Sequence, residues 1–455
     1  MIRGCIFFTY ILLTRKQNKG KMIILPRKEK RKDKIIMQRK MIYSKDFSLM
    51  AIGQIISLFG NQILRYALPL YLLNQTGSSA LFGTISACAF IPMLIMFPIG
   101  GIIADRVNKR NIMVILDFST AVLILIFYML VGISNIVPLM AATMIILYGI
   151  QGAYQPAVKA SIPVLVDTKH IMQANSVVDV ISSLASMVGP VIGGILFSIV
   201  GLEPILYVSI ICFFISAVME IFINIPFEQK QVKGNIFIIG FSDIKESFAF
   251  VFKKQPVLWK MSLYYASVNL FLTSLILIGV PVLITQHLGF SPNVANRLYG
   301  YAQGIIAAGS VLGGVLAATL SKKLKPSSIP FFIIAGSISI ILEGIALQTL
   351  GNSMAIYIIL VIGCCLLLTL VTLFTIQIMS YLQILTPKDL IGKVISCVMC
   401  ICMCTNPIGQ LIYGIVFEKV GSSIYIPFYV AAMIMIGISI FSRHIFYGIS
   451  DAAKC

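Results

Sequence analysis

Charged side chains are scarce in this sequence. Asp, Glu, Lys and Arg make up 11% of the 455 residues, whereas hydrophobic types make up 58%. A soluble protein of this size carries about 25% charged residues. A chain so poor in charge cannot cover its surface with groups that water solvates well. The composition therefore excludes an ordinary soluble protein and favours one whose solvent is the lipid bilayer.

Motifs of catalysis and metal binding are also missing. The chain has no glycine-rich loop ending in Gly-Lys-Ser/Thr and no His-Glu-x-x-His, so we expect neither ATP hydrolysis nor a zinc hydrolase. Cys397, Cys400 and Cys404 share one helix face, but a thiolate site in hydrocarbon needs partners of opposite charge. Small residues at a helix interface are the better interpretation. The sequence predicts no catalytic site, no cofactor and no metal.

The net charge of +19 does not indicate nucleic acid as a partner. Fourteen of the 35 Lys and Arg precede residue 46, and most others fall in every second loop between apolar stretches. Cytoplasmic loops of membrane proteins carry this excess, so we expect both termini in the cytoplasm. Residues 1–45 are either a disordered basic tail drawn to anionic lipid or lie upstream of a start at Met37 or Met41.

Apolar stretches of at least about 18 residues predict membrane helices. The sequence contains twelve of them, so it predicts an all-α protein of the cytoplasmic membrane that crosses the bilayer many times. The stretches run over about 47–73, 79–104, 111–132, 136–158, 171–200, 204–226, 257–284, 294–320, 328–350, 353–380, 391–416 and 422–445.

The chain divides into two halves of six stretches each, 46–226 and 257–445. The connection 227–256 contains an amphipathic segment at 241–252, which predicts a short helix on the cytoplasmic surface. Residues 446–455 form a short cytoplasmic tail.

A repeated motif supports this division. The loop motif, residues 100–110 (Gly-Gly-Ile-Ile-Ala-Asp-Arg-Val-Asn-Lys-Arg), returns in degenerate form 213 positions later from Gly313. Gly189-Pro190 in the fifth stretch corresponds to Asn406-Pro407 in the eleventh. A half-length repeat is typical of transporters built from two pseudo-symmetric six-helix units.

With these motifs the chain resembles the major facilitator superfamily over residues 46–445, and most of all its macrolide-efflux type of drug exporter. The loop motif matches the family's Gly-x-x-x-Asp-Arg-x-Gly-Arg-Arg/Lys, and residues 151–163 are similar to the exit of the fourth span in those exporters. Asn108 replaces the usual Gly, and we expect it to keep a left-handed turn. Tyr148 stands where drug–proton antiporters have Arg.

The resemblance implies a conformational latch at the cytoplasmic ends of the second and third spans. In the family such a network holds the two halves together while the protein is open outward. The alternative is a carboxylate that merely shapes the turn. The expected members are Gly101, Asp105, Arg106, Lys109, Arg110 and Asp117.

The fifth span carries a Gly-Pro motif that resembles that of antiporters. Small residues let helices approach closely, and proline permits a bend. Two compatible roles are open, a hinge for alternating access and plain tight packing. The residues are Gly189, Pro190, Gly193 and Gly194.

Besides Asp117, four charged residues stand out well within predicted spans, where charge is costly and usually functional. Arg65 and Asp179 lie in spans that are neighbours in the family, so they are predicted to pair. Such a pair would be either a structural neutralisation or a proton-coupled switch, and we favour coupling for Asp179. Glu220 is expected near the membrane interface. Glu343 lies on a span that is peripheral in the family, which favours a structural role.

Uncharged polar groups in otherwise apolar spans predict where a substrate binds. A wide apolar pocket with few hydrogen bonds suits an amphipathic small molecule. Amides that only tie helices together are the alternative. The candidates are Gln151, Gln155, Asn269 and Gln303.

The sequence thus favours proton-coupled efflux of an amphipathic small molecule, such as a macrolide-like drug, by alternating access. A siderophore or other metabolite exporter, a solute importer, and a non-transporting sensor or scaffold are the alternatives. The expected partners are a small-molecule substrate, a coupling ion that we take to be the proton, and the lipid bilayer.

Overall fold

A computed structural model describes residues 44–167, 170–225, 256–320, 326–386, 391–421 and 423–452. Within these ranges the chain forms twelve helices long and apolar enough to cross a membrane, which confirms the predicted number of spans. The predicted basic tail before residue 44 and the predicted surface helix at 241–252 lie outside the described residues.

The helices are α1 (Lys45–Thr76), α2 (Ser79–Arg106), α3 (Lys109–Leu130), α4 (Ile136–Leu165), α5 (Ile171–Val200), α6 (Leu202–Ile221), α7 (Pro256–Val268 and Ser274–Val282, continued by the π-helical turns Asn269–Thr273 and Leu283–His287), α8 (Pro292–Leu320), α9 (Ile329–Thr349, after a 3₁₀ turn Pro326–Ser328), α10 (Ser353–Leu385), α11 (Ile391–Val420) and α12 (Ile426–Ala452).

Local sequence sets where these helices begin and end. The Ser44 hydroxyl accepts a hydrogen bond from the Phe47 amide at 3.1 Å and caps the start of α1. α1 ends at Gly77, whose φ of +62° glycine adopts without strain. Asn108 accepts from the Arg110 amide at 3.0 Å and has a φ of −58°. The predicted left-handed turn at Asn108 is therefore wrong, because its side chain caps α3 instead.

Several predicted ends differ from the structure. α12 continues to Ala452, so residues 446–452 of the predicted tail are helical, and α10 continues to Leu385, beyond the predicted end at 380. α4 continues to Leu165, beyond the predicted end at 158, although Pro156 and Pro163 lie inside it. Membrane helices tolerate such prolines when neighbouring groups satisfy the freed carbonyls. α6 stops at Ile221, before the predicted end at 226.

The two halves repeat the same helix pairings. In the first half α1 packs against α5 and α6, α3 packs against α4 and α6, and α2 packs against α4. In the second half α7 packs against α11 and α12, α9 against α10 and α12, and α8 against α10. Each pairing recurs six helices later, so the predicted pseudo-symmetric halves are confirmed.

Two helix crossings make the most extensive contacts between the halves. α2 of the first half crosses α11 of the second, and α5 of the first crosses α8 of the second. The repeat relates one crossing to the other, since α2 corresponds to α8 and α11 to α5. The halves therefore meet through a symmetric pair of interfaces.

Both crossings lie at one end of the bundle. We call the end where α1 begins and α12 ends the inner end, and the opposite end the outer end. At the outer end the backbones of Gly194 in α5 and Gly300 in α8 touch, since a Cβ added to Gly194 would lie 2.7 Å from the Gly300 Cα. At the other crossing, the Ser79 hydroxyl of α2 donates to the Gly414 carbonyl of α11 at 3.1 Å.

The halves diverge towards the inner end. The stripe of α5 that meets α8 continues from Gly194 through Pro190 and Met187 to Ser183 and Val180, at helical spacing. The last two are exposed, and 57% of Val180 is accessible. The matching stripe of α8 is exposed in the same way beyond residue 310. The molecule is therefore closed at its outer end and open at its inner end.

Candidate functional site

A central cavity of about 280 Å³ lies between the halves, directly inside the outer closure. Helices α1, α2, α4 and α5 of the first half and α7, α8 and α11 of the second half line it. Its wall mixes aromatic rings with amides, hydroxyls and one guanidinium. The lining residues are Gln62, Arg65, Tyr66, Pro69, Phe82, Ser86, Phe90, Tyr148, Ser186, Pro190, Leu277, Ile278, Tyr299, Gln303 and Gln410.

Arg65 is the charged residue of the cavity wall. Its Nε donates to the Tyr148 hydroxyl at 3.3 Å, and its guanidinium carbon lies 4.5 Å from the centre of the same ring. A cation over an aromatic face is attracted by the ring's quadrupole. Tyr148, which replaces the Arg of drug–proton antiporters, therefore positions the guanidinium that α1 supplies.

Aromatic groups from both halves close the cavity towards the outer end. Tyr66 of α1 stacks on Tyr299 of α8 with ring centres 4.9 Å apart, and its hydroxyl donates to the Asn296 carbonyl. Gln303 donates to the Tyr299 hydroxyl at 2.8 Å. The predicted substrate amide Gln303 thus lies in the cavity wall and is already oriented by an aromatic neighbour.

A polar seam runs from the cavity towards the inner end between α1 and α4. About one helical turn from Arg65 and Tyr148 towards the inner end, Asn61 donates to Gln151 at 2.9 Å. Further inward, Gln54 donates to the Tyr154 hydroxyl at 2.6 Å. Side chains on antiparallel helices meet in this order when their spacing follows the helical repeat.

The seam ends at two buried carboxyl groups. Tyr154 donates to Glu220 of α6 at 2.7 Å, and Ser57 donates to Asp117 of α3 at 3.1 Å. Asp117 is 2% exposed and Glu220 is fully buried, and neither makes an ion pair within the described residues. The second oxygen of each group has no hydrogen-bond partner in this part of the chain.

The structure shows what surrounds both acids. Glu220 is the second-last residue of α6, where it is buried and accepts from Tyr154, and its level relative to the membrane interface stays a prediction. Asp117 is turned inward towards Ser57 in this conformation, and its membership of the latch stays a prediction.

The predicted pair of Arg65 and Asp179 does not form. Gly193 of α5 lies against Ile63 and Tyr66, so it is level with Arg65. Asp179 precedes Gly193 by fourteen residues, which is about 21 Å along a helix axis at 1.5 Å per residue. Asp179 instead lies 3.9 Å from Lys159 of α4, and both side chains are more than half exposed.

The loop motif stands apart from the second half in this conformation. A Cβ added to Gly101 would meet nothing within 4 Å, and the same holds for Gly314 in the repeat. Arg106 is exposed, and Arg110 donates to the Asn111 side chain at 3.1 Å and to the Ile221 carbonyl at 3.5 Å. The side chain of Asp105 lies outside the described groups. An open inner end leaves such a latch disengaged.

The glycines of α5 make close helix contacts. Gly189 lies against Gln62, Gly193 against Tyr66, and Gly194 against the backbone of Gly300. A side chain at Gly194 would separate the halves. These contacts account for the small residues, and a hinge at Pro190 stays a prediction.

Three of the predicted substrate amides are absent from the cavity wall. Gln151 accepts from Asn61 in the polar seam, and Asn269 donates to the Cys402 carbonyl of α11 at 3.2 Å. Asn269 thus ties α7 to α11 at a π-helical turn. Gln155 is half-buried on α4 and does not line the cavity.

The other acidic and sulfur candidates lie away from the cavity. Glu343 is buried between α9 and α10 and accepts from the Cys364 thiol at 3.7 Å. The Cys402 thiol is buried against the Ser262 carbonyl at 3.8 Å, while Cys400 and Cys404 are exposed. No group of three His, Cys, Asp or Glu is placed to hold a metal in the ranges that the structure describes.

Sequence reasoning missed one contact between the halves. At the outer end, Glu418 of α11 accepts from the hydroxyls of Ser78 and Ser79 and from the Ala80 amide, each at 3.1 Å. A carboxylate at a helix N-terminus is favourable, because the free N–H groups and the helix dipole attract it. The available signal was an acid at the end of a span, but its partner lies about 340 residues away.

A family model described as Major Facilitator Superfamily matches residues 50–410. Macrolide efflux protein A of Streptococcus pyogenes is 23% identical over 382 residues, covering 81% of this chain and 88% of that protein. The Staphyloferrin A transporter of Staphylococcus aureus is 25% identical over 275 residues, covering 58% of this chain and 64% of that protein.

Solved structures share the architecture. The crystal structure of a bacterial homologue of the iron transporter ferroportin, in its inward-facing state, superimposes with a TM-score of 0.67 at 14% identity. The match covers 89% of this chain and 98% of that one. At this identity the likeness concerns the fold alone.

Proposed function

Since this chain belongs to the Major Facilitator Superfamily, we propose that it exports an amphipathic small molecule by alternating access, driven by the proton gradient. The chain is a multi-pass membrane transporter and not an enzyme. The observation that carries the proposal is the central cavity, which lies between two symmetric halves that are closed at the outer end and apart at the inner end.

The cavity composition supports an amphipathic substrate. Phe82, Phe90, Leu277 and Ile278 supply apolar surface, and the amides and hydroxyls of the wall supply a few directed hydrogen bonds. This mixture is typical of small-molecule sites. The inner opening lets such a molecule enter from the side predicted to be cytoplasmic, and separation of the outer crossings would release it on the other side.

Asp179 is our proposed coupling group. It lies on α5 near the inner end, where it is exposed beside Lys159. Closing the inner end would bury it, and a buried ionised carboxylate is costly unless a proton or a cation neutralises it. Closure of the inner end would therefore be linked to neutralisation of Asp179.

The loop motif is our proposed latch for the outward-open state. A Cβ added to Gly101 or Gly314 would meet nothing within 4 Å, so a neighbouring helix can approach at both positions. Once the inner ends meet, Asp105 at the end of α2 can accept from a helix N-terminus of the other half, which the helix dipole favours. The Gly-Pro contacts of α5 would act as the pivot.

The test measures accumulation of fluorescent dyes and macrolides in cells that express the protein, with and without a protonophore. Efflux lowers accumulation, and the protonophore and Asp179→Asn should both restore it. Asp167→Asn, which changes an acid in the loop after α4, is the matched control. Wild-type export by Asp179→Asn would reject Asp179 as the coupling group, and unchanged accumulation of every probe would reject efflux of this class.

Export of a siderophore or another metabolite is the second candidate. The similarity to the Staphyloferrin A transporter supports it. The same panel distinguishes the candidates, because a dedicated exporter would leave dyes and macrolides untouched.

A further inference from the structure

Among the residues that the structure describes, those lining the central cavity include a cation and no anion. Arg65 lies in its wall, and none of the lining residues is Asp or Glu. The predicted partner, Asp179, is paired with Lys159 near the inner end. The cavity therefore offers a positive charge that the protein does not neutralise locally.

The guanidinium of Arg65 is held in place by Tyr148, and its terminal nitrogens remain free to donate hydrogen bonds. Its Nε donates to Tyr148, whose ring also supports the guanidinium face. The two terminal nitrogens have no hydrogen-bond partner among the residues that the structure describes. Such a fork matches the two oxygens of a carboxylate, and bidentate pairs of this kind are among the stronger hydrogen bonds in proteins.

A purely structural role does not explain this arginine. Charged side chains inside a membrane domain are costly and normally pair with another charge or line a pathway. Arg65 makes no ion pair with the residues that the structure describes, and it lines the cavity. The hydroxyl and ring of Tyr148 hold the direction of the guanidinium without cancelling its charge.

Gln410 adds a polar residue of the second half to the same wall. This residue of α11 lines the cavity and is 2% exposed. Its Oε1 atom has no hydrogen-bond partner in the described part of the chain, but that atom is itself inaccessible. The free donors of the wall are therefore those of Arg65 on α1.

We propose that the transported molecule carries a carboxylate that binds the free terminal nitrogens of Arg65 in the cavity wall. This inference rests on the proposed function, in which the cavity is the substrate site. It narrows the substrate class from amphipathic molecules in general to amphipathic carboxylic acids. Cationic drugs are disfavoured, because they would meet an uncompensated positive charge.

The test compares two xanthene dyes of opposite charge on purified protein in lipid nanodiscs. Carboxyfluorescein has free carboxylates, whereas rhodamine 123 is cationic and its carboxyl group is esterified. Fluorescence anisotropy measures both dissociation constants. We expect wild-type protein to bind carboxyfluorescein more tightly, and Arg65→Gln to weaken that binding by about tenfold or more, as for loss of a charged hydrogen-bond partner.

Two further variants distinguish loss of the contact between Arg65 and the carboxylate from loss of the folded structure. Arg65→Lys keeps the charge but not the fork and should bind with intermediate affinity. Arg297→Gln removes an exposed cation on α8, outside the cavity wall, and should bind like wild type. Equal binding of the two dyes, absent binding of carboxyfluorescein, or wild-type affinity in Arg65→Gln would overturn the proposal.

Transport distinguishes this inference from the function on which it rests. If carboxyfluorescein binds through Arg65 but no cell-based efflux is found, the carboxylate site stands and the proposed export fails. If rhodamine 123 is exported and Arg65→Gln exports it as well as wild type does, export stands and the carboxylate assignment fails.

Discussion

Gly194 is the position where one methyl group should change the conformation of the whole molecule. In the structure a Cβ at Gly194 would lie 2.7 Å from the Gly300 Cα, 2.9 Å from the Tyr66 hydroxyl and 3.1 Å from the Asn296 carbonyl. Carbon atoms in contact prefer about 3.5–4.0 Å, so Gly194→Ala requires α5 and α8 to separate by roughly 0.8 Å or more. That separation opens the outer end.

The size of the shift follows from this overlap. Overpacking of a well-packed interface costs about 1–3 kcal/mol, and here the cost applies only while the outer end is closed. The gain in helix propensity from Gly to Ala, about 1 kcal/mol, is common to both conformations and cancels. The equilibrium should therefore move towards the outward-open state by about 5–150-fold.

Hydrogen–deuterium exchange measured by mass spectrometry follows both ends of the bundle at once. In Gly194→Ala, peptides covering 194–201 and 292–300 should exchange faster, because the outer crossing loosens. Peptides covering 173–183 and 311–320 should exchange more slowly, because the inner end closes.

Gly437→Ala is the matched control for this experiment. It makes the same change on an exposed face of α12, where a Cβ would meet nothing within 4 Å. We expect exchange at both ends to stay as in wild type. Faster exchange at both ends in Gly194→Ala would indicate loss of stability, and unchanged exchange would show that the crossing tolerates the methyl group. Either result refutes the reasoning.

Substitutions at three further residues test the polar seam of the first half and the contacts between the halves. Glu220→Gln keeps an acceptor for Tyr154 and should leave the thermal unfolding temperature in detergent near that of wild type. Glu220→Ala leaves a cavity and an unpaired hydroxyl, so it should lower the free energy of unfolding by about 2–4 kcal/mol. Equal losses of stability in the two variants would argue against the hydrogen bond. Asp105→Ala should reduce export if the latch operates, and accumulation assays at wild-type level would count against it. Glu418→Gln removes the charge that α2 binds at its N-terminus, so exchange at the outer end should rise modestly at low salt and less at high salt; an effect independent of salt would contradict an electrostatic contact.

Local features of the sequence were enough to predict much of the fold. The number of spans follows from the length of each apolar stretch, because a bilayer accepts only helices of sufficient length without exposed polar backbone. The repeat of the loop motif and of Gly189-Pro190 predicted the two halves, which the recurring helix pairings confirm. Asn108 shows the limit, since a residue that tolerates positive φ also caps helices, and composition does not choose between these roles.

The geometry of the site depends on which face each helix turns towards its neighbours and on which of their residues lie at the same depth in the bundle. Arg65 and Asp179 lie on neighbouring helices, yet about 21 Å of helix axis separates their levels, which no single span reveals. Glu220 and Asp117 became buried because α3 and α6 turn them towards α1 and α4.

The sequence by itself determined that this protein is a twelve-span membrane transporter of two related halves, because span length, end caps and repeats are encoded within short segments. Only the tertiary structure decided that the outer end is closed, that Tyr148 holds Arg65 in the cavity wall, and that Gln410 of the other half lines the same cavity. These facts depend on contacts between residues that are far apart in the chain, and such contacts exist only once the helices have packed.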